Sequence, residues 1–190
     1  MSGSREADGP DEVPGLLARA KAGGEAAFEQ LMKKHERQVL LTSLRLLGRL
    51  EDAQDAAQEV FLRLHRNLKI FASVAEIRPW LYRVTVNVCR DLLRKRRRGG
   101  LELLDDSLRA DGAPLDEEIG REQQRALLAE ALTRLPEKER TALVLRDIEG
   151  LDTAEVAEIL GSAPATVRSQ VSTGRERLRG IVARLMRRSL

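Results

Sequence analysis

Leu151-Asp152-Thr153-Ala154-Glu155-Val156-Ala157-Glu158-Ile159-Leu160-Gly161-Ser162-Ala163-Pro164-Ala165-Thr166-Val167-Arg168-Ser169-Gln170-Val171 is the stretch that decides the fold. Asp152 or Thr153 can cap a short helix, because a side-chain oxygen there accepts from the otherwise orphaned first N–H groups. Val156, Ile159 and Leu160 recur at helical spacing and face one way. Gly161 supplies the left-handed residue that ends this helix. Ser162 is expected to cap the next helix, with Pro164 in its first turn. Val167, Val171 and Leu178 continue an apolar stripe along it. A short helix, a tight glycine turn and a longer basic helix together read as a helix-turn-helix, whose second helix lies in the major groove of duplex DNA.

The residues placed to reach base edges are Ala165, Thr166, Arg168, Ser169, Gln170 and Thr173. Arg pairs bidentately with guanine and Gln with adenine, while Ser and Thr suit phosphates or either base. The basic tail beyond, from Arg175 to Arg188, fits phosphate neutralisation.

Working back from this unit, Pro136 opens a helix carrying Ala142, Leu143 and Leu145, which Gly150 closes. A preceding helical pattern starts at Arg121, with Leu127, Leu128, Ala131 and Leu132. Residues 99–120 show no sustained periodicity and hold Glu102, Asp105, Asp106, Asp111, Asp116, Glu117 and Glu118, which predicts a flexible acidic linker. Upstream lies a second helical unit, 15–98. It is expected to contain a short helix from Leu16, a helix over 25–47 with Phe28, Leu31, Met32, His35 and Val39 on its stripe, and a helix over 51–67. Residues 71–79 read as a loop, with Pro79 in the first turn of a last helix. That helix carries Trp80, Leu81, Val84, Val88 and Leu92, then runs into Arg94-Lys95-Arg96-Arg97-Arg98. Residues 1–14 are rich in Gly, Pro, Asp and Glu and are expected to form a disordered tail.

The fold class is therefore all-α: two small helical domains, 15–98 and 121–190, joined by the acidic linker, the second containing the helix-turn-helix. Composition agrees. The 190 residues are 42% hydrophobic, 33% charged and only 3% aromatic, dominated by helix formers. The net charge is +3, but the arginines gather in two blocks on either side of the acidic spacer, a pattern suited to two contacts with a polyanion. Cys89 is the only cysteine, which rules out an intrachain disulfide and a multi-cysteine zinc site, and its apolar surroundings place it in the core. His35 reads as a part-buried neutral histidine and His65 as a cation at a helix end. No apolar run is long enough to span a membrane and no signal peptide is present, so a soluble cytoplasmic protein without membrane insertion is expected. The short stretch after Leu178 is expected to carry no further domain.

The first basic helix combines Trp80, Tyr82 and Asn87 with Arg90, Arg94 and Lys95. Flat side chains and cations together can hold separated strands, because unstacked bases need a surface and phosphates need charge. Trp80 also suits a core position.

Three blocks carry a family resemblance. Asp52-Ala53-Gln54-Asp55-Ala56-Ala57-Gln58-Glu59-Val60-Phe61-Leu62 resembles the polymerase-binding helix of extracytoplasmic-function (ECF) sigma factors. Trp80-Leu81-Tyr82-Arg83-Val84-Thr85-Val86-Asn87 through Asp91 is similar to the promoter-melting helix of that family. Leu135-Pro136-Glu137-Lys138-Glu139-Arg140 and the helix-turn-helix resemble its C-terminal domain. The resemblance implies a non-enzymatic specificity subunit of bacterial core RNA polymerase that needs no cofactor or metal. Asp55, Gln58 and Glu59 would dock on the largest subunit, on one helical face. Trp80, Asn87, Arg90, Arg94 and Lys95 would serve the minus-ten element of promoter DNA, and the 71–79 loop would hold a flipped base. Thr166, Arg168, Ser169, Gln170, Thr173 and Arg175 would read the minus-thirty-five element. An anti-sigma factor is the implied regulator. The chain departs from the family at Ala72 and Ser73 in the loop, and at Ala165, Gln170, Thr173 and Gly174 in the recognition helix.

Other readings are a stand-alone helix-turn-helix regulator, a metal-dependent nuclease or phosphohydrolase using Asp55 and Glu59, and a helical adaptor for RNA. The Asp55/Gln58/Glu59 face is superfluous to the first, and neither of the two histidines stands at i, i+4 from a partner ligand for the second. In the sigma reading the acidic linker passes through the polymerase interior, where template or nascent RNA would run. Reversing its charge is expected to alter initiation or early escape in run-off assays while promoter binding stays nearly intact.

Overall fold

The computed structural model describes residues 12–98 and 116–187. The N-terminal tail up to residue 11 and the acidic linker up to residue 115 lie outside the described residues. The first unit comprises α1 (Glu12–Lys21), α2 (Glu25–Leu47), α3 (Leu50–Asn67) and α4 (Ile77–Arg98). The second comprises α5 (Asp116–Thr133), α6 (Glu137–Leu143), α7 (Thr153–Leu160) and α8 (Pro164–Met186). Among the described residues there is no strand, in line with the all-α expectation.

Two boundaries differ from the sequence reading. α1 begins at Glu12, inside the expected tail, and α5 begins at Asp116, inside the expected linker.

In the first unit, Leu31 and Val39 of α2, Val60 and Leu64 of α3, and Leu81 and Val86 of α4 are buried. Each such side chain contributes about 1.5–3 kcal/mol on leaving water. Gly48 turns α2 into α3 at φ 78°, a left-handed conformation that glycine adopts without penalty. The 71–79 segment is more structured than a plain loop. A tight turn spans Val74–Glu76, and the Glu76 carboxylate accepts from the Ala72 N–H at 2.9 Å. α4 starts at Ile77, so Pro79 does sit in its first turn. Phe71 is buried and meets the Trp80 ring edge-on at 5.3 Å.

In the second unit, α6 widens into a single π turn over Val144–Ile148. α7 is only eight residues long, too short to persist alone. A capping box fixes its start: Asp152 accepts from Ala154 and Glu155 N–H at 2.7 and 2.8 Å, and Glu155 accepts from the Asp152 N–H at 2.6 Å. At its end Gly161 is left-handed (φ 61°) and the Ser162 N–H reaches the Ala157 carbonyl at 2.9 Å, a Schellman closure. Ser162 therefore does not cap α8, contrary to the sequence expectation. The capping position is Ala163, extended at φ −74° and ψ 146°, because a residue before proline is pushed out of the helical region.

The two units are packed together. Arg140 of α6 is buried at their junction and donates to the Thr133 carbonyl at 3.1 Å; burial lowers its pKa. Cys89 is buried nearby in α4, and desolvation pushes its thiol up to about 12, so it behaves as an apolar filler.

His35 is buried on the α2 stripe, as the sequence suggested, and its pKa is lowered by desolvation and by the Lys34 charge. A depressed histidine contributes full stability above the unfolded pKa of about 6.5 and loses it below, as the unfolded chain takes up the proton that the folded chain refuses. His35→Leu is therefore expected to lose less stability than wild type, by up to ~1 kcal/mol, when urea unfolding is compared at about pH 7.5 and about pH 5.5.

Candidate nucleic-acid interface

The outer face of α8 is set by its burial. Val167 and Val171 point inward, and this leaves Thr166, Arg168 and Ser169 exposed at the start of the helix. Gln170 and Thr173 are half-buried at its flank, and the Gln170 Oε1 has no hydrogen-bond partner among the described residues. Ser172 is exposed one turn beyond Arg168 and Ser169 and completes the row. Sequence reading passed over it, although its i+4 and i+3 spacing from those two residues was the signal. Arg175 is exposed but already engaged: it grips Asp147 with two bonds of 2.7 Å each, and this pairing raises its pKa. Gly174 is buried where α8 crosses α6. A Cβ there would stand 3.3 Å from Leu143 Cδ1 and 3.4 Å from the Glu139 carbonyl oxygen. The helix-propensity cost of this glycine is thus tied to the close approach that aims α8 outward.

On α4, Asn87, Arg94 and Lys95 are exposed, while Arg90 and Trp80 are half-buried. Trp80 packs on Phe71, which orients the ring and favours the core reading over a free base platform. Arg83, Asn87, Arg90, Arg94 and Arg97 follow each other at spacings of four and three, and so form one stripe. Arg94 pairs with Asp91 at 2.8 Å on the same helix. Three others reach across to the second unit: Arg83 to Glu158 at 2.7 Å, Arg97 to Glu137 at 3.0 Å and Arg90 to Glu137 at 3.7 Å. Arg83 and Arg97 were not singled out from the sequence as members of this stripe.

α3 presents a different surface. Ala53, Ala56, Val60 and Leu64 are buried, which turns Asp55 and Gln58 to solvent. Glu59 is half-exposed and held by Arg63 at 2.7 Å. Leu62, 46% exposed, continues the same face. Beside it a groove of about 630 Å³ opens between α2 and α3, lined by Phe28, Met32, Leu40, Gln58, Phe61 and Leu62. Of the three residues predicted to dock on a partner, Gln58 lines this apolar groove, while Asp55 and Glu59 lie on the same helix outside its lining; such a groove suits a helix of another protein. Among the described residues no group of His, Cys, Asp or Glu is arranged to hold a metal ion.

A basic stripe, an outward recognition helix and a polar face beside a groove define a two-part protein of the sigma-70 class. Residues 31–99 match Sigma-70 region 2 and residues 125–178 match Sigma-70 region 4. The chain is 37% identical over 164 residues to the ECF RNA polymerase sigma factor SigM of Mycobacterium tuberculosis, covering 86% of this chain and 81% of that one. It is 34% identical over 180 residues to the ECF RNA polymerase sigma factor SigE of Mycolicibacterium smegmatis, covering 92% and 70%. Among solved structures, CnrH in complex with the cytosolic domain of CnrY matches with a TM-score of 0.65 at 25% identity, covering 91% of this chain and 98% of that one. RpoE of Bartonella quintana shares the fold, with a TM-score of 0.68 at 22% identity over 82% and 96% of the two chains. The chain belongs to the ECF sigma factor family. It is a sigma factor, directing promoter-specific initiation of transcription by RNA polymerase, and the family is not one of enzymes.

Because Gly174 sits against backbone as well as side chain, a β-branched replacement cannot be absorbed by a rotamer change. Gly174→Val is expected to cost about 1–3 kcal/mol in urea unfolding, with weaker binding to duplex promoter DNA.

Proposed function

We propose that the three surfaces divide the work of initiation. The α3 face of Asp55, Gln58 and Glu59, with Leu62 and the adjoining groove, docks on helices of the polymerase largest subunit. α4 holds the melted minus-ten element through Asn87, Arg90, Arg94 and Lys95, with Trp80 bracing the 71–79 segment that takes a flipped base. α8 enters the major groove of the minus-thirty-five element with Thr166, Arg168 and Ser169 foremost. Gln170 and Thr173 reach it from the flank, and Arg175 does so once released from Asp147.

The observation that carries this reading is the position of Gln58 in the lining of an apolar groove, with Asp55 solvent-exposed on the same helix, within the region 2 match. Solvent-facing carboxylate and amide groups beside unburied Phe and Leu surface fit a docked helix better than free water. No chemical step is assigned to the chain itself: polymerase supplies catalysis and this protein supplies specificity. The work takes place in the cytoplasm, and no helix among the described residues is long and apolar enough to cross a membrane. An anti-sigma factor covers the docking face until a signal removes it. The likeness to CnrH, solved in complex with the cytosolic domain of CnrY, supports a protein regulator of this kind.

Run-off transcription with purified core polymerase on a promoter library tests the assignment. The wild-type chain is expected to yield promoter-specific transcripts. Asp55→Ala/Gln58→Ala/Glu59→Ala is expected to reduce them about tenfold or more, as hot-spot loss does, while duplex binding by α8 persists. Undiminished transcripts from the triple variant would remove α3 from the docking surface.

A further inference from the structure

We propose that Lys21, the last residue of α1, is a positioning residue for the 71–79 segment: its ammonium fixes the Phe71 carbonyl and thereby holds the backbone that takes a flipped base. This rests on the reading of that segment as the base-holding element.

The Lys21 Nζ donates to the Phe71 backbone oxygen across 50 positions of chain. Among the described residues the ammonium has no other partner. A charged donor makes a stronger bond than a neutral one. Its base is firm as well, for Leu17 and Ala20 are buried and seat α1 against the turns at Leu68–Ile70 and Val74–Glu76, on either side of Phe71. The next group along is held in turn, since the Ala72 N–H donates to the Glu76 carboxylate at 2.9 Å. The Phe71 carbonyl and the Ala72 N–H belong to one planar peptide unit. A cation and an anion therefore grip the two ends of a single peptide plane, with Phe71 extended at ψ 127° and its buried ring edge-on to Trp80.

The side chains beyond that plane explain why its orientation matters. Ala72, Ser73 and Ala75 are exposed, Val74 is half-exposed, and residues 71–75 carry no charge. Short uncharged side chains leave the reading of a base edge to backbone N–H and C=O groups and to the Ser73 hydroxyl. Where those groups point is set by the rotation of the peptide that precedes them. A segment already held in its working geometry binds with less ordering cost. α1 lies outside the three surfaces assigned above, and this bond gives it a part in capturing the base.

The test uses the full-length chain with core polymerase on a promoter recovered from the run-off library, each minus-ten position carrying the four bases in turn. Lys21→Met keeps the stem and loses the donor, Lys21→Arg restores a charged donor, and Glu76→Ala frees the other end of the plane. Thermal unfolding and competition with labelled wild type for core polymerase are measured first. Glu76 is exposed and outside α1, so Glu76→Ala carries the test should Lys21→Met unfold. Lys21→Met is expected to lower transcripts from the preferred base about tenfold, the scale of one charge-assisted hydrogen bond. The loss should fall at one minus-ten position, where the ratio of preferred to other bases narrows. Lys21→Arg is expected to restore that ratio, Glu76→Ala to narrow it likewise, and the salt dependence to stay that of wild type. A wild-type ratio in both Lys21→Met and Glu76→Ala overturns the proposal, as does a loss that Lys21→Arg leaves unrepaired. A loss shared equally by all four bases, with the salt slope reduced by about one, overturns it in favour of a phosphate contact. A wild-type chain without base preference at any minus-ten position removes instead the base-holding reading itself.

Discussion

A carboxylate taken out of water has to be matched, and the matching of Glu149 fixes how the molecule is put together. Thr42 and Arg45 come from the end of α2 and Tyr82 from the first turns of α4, so these two helices must present their donors together. Around this point the packing of α2 against α4, the burial of Arg140 and the seating of Thr133 over Gly48 are mutually dependent. The Tyr82 ring is itself buried, with the Arg78 guanidinium 5.7 Å from its centroid. Removing a single donor would leave the others facing an under-satisfied charge, a more costly state than the pair's net contribution suggests.

What could be read from the sequence was what is local. Apolar spacing alone placed α2 and the inward face of α3, because the side chains that share a helical face are three and four residues apart in the chain itself; on α4 it found Leu81 and Val88 but passed over the buried Tyr82, Thr85 and Val86, with Tyr82 read instead as a flat surface for bases. Asp152 and Gly161 were legible for the same reason: a cap and a left-handed turn answer to their immediate neighbours. The error at Ser162 is instructive, since two local rules competed there. Its N–H was needed to close α7, and Pro164 forced the extended capping conformation on Ala163. The outer face of α3 was legible as a polar face, but the groove beside it was not, for Phe28, Met32 and Leu40 come from another helix. Glu149 and the carboxylates that meet Arg83, Arg90 and Arg97 were invisible for a deeper reason. Each pairing spans 40 to 107 positions in the chain, and nothing in the pattern around a surface-type glutamate tells which arginine it will meet.

The distribution of charge follows from two demands that conflict. Binding a polyanion at two places requires dense arginine, and a chain carrying only that would attract any nucleic acid. The chain instead keeps 33 basic and 30 acidic side chains, and several of its arginines stand at contact distance from carboxylates. Arg175 on Asp147, Arg177 on Glu139 and Arg94 on Asp91 show the same arrangement away from the junction between the units. Exposed pairs of this sort contribute little to folding. Their physical effect is to lower the field that stray nucleic acid feels while keeping the cations in place for a strand presented in the right geometry.

Specificity then arises from the order of events rather than from affinity alone. The groove beside α3 is open, and it is lined by Phe28, Met32 and Leu62. Protein recognition can therefore come first, through a surface whose apolar content does not depend on salt. In the proposed division of work, DNA recognition is left to surfaces some of whose cations, Arg83, Arg90, Arg97 and Arg175 among them, are already paired. The buried Glu149 anchor makes the packing of the two units definite, and the exposed pairs around it add little to that packing.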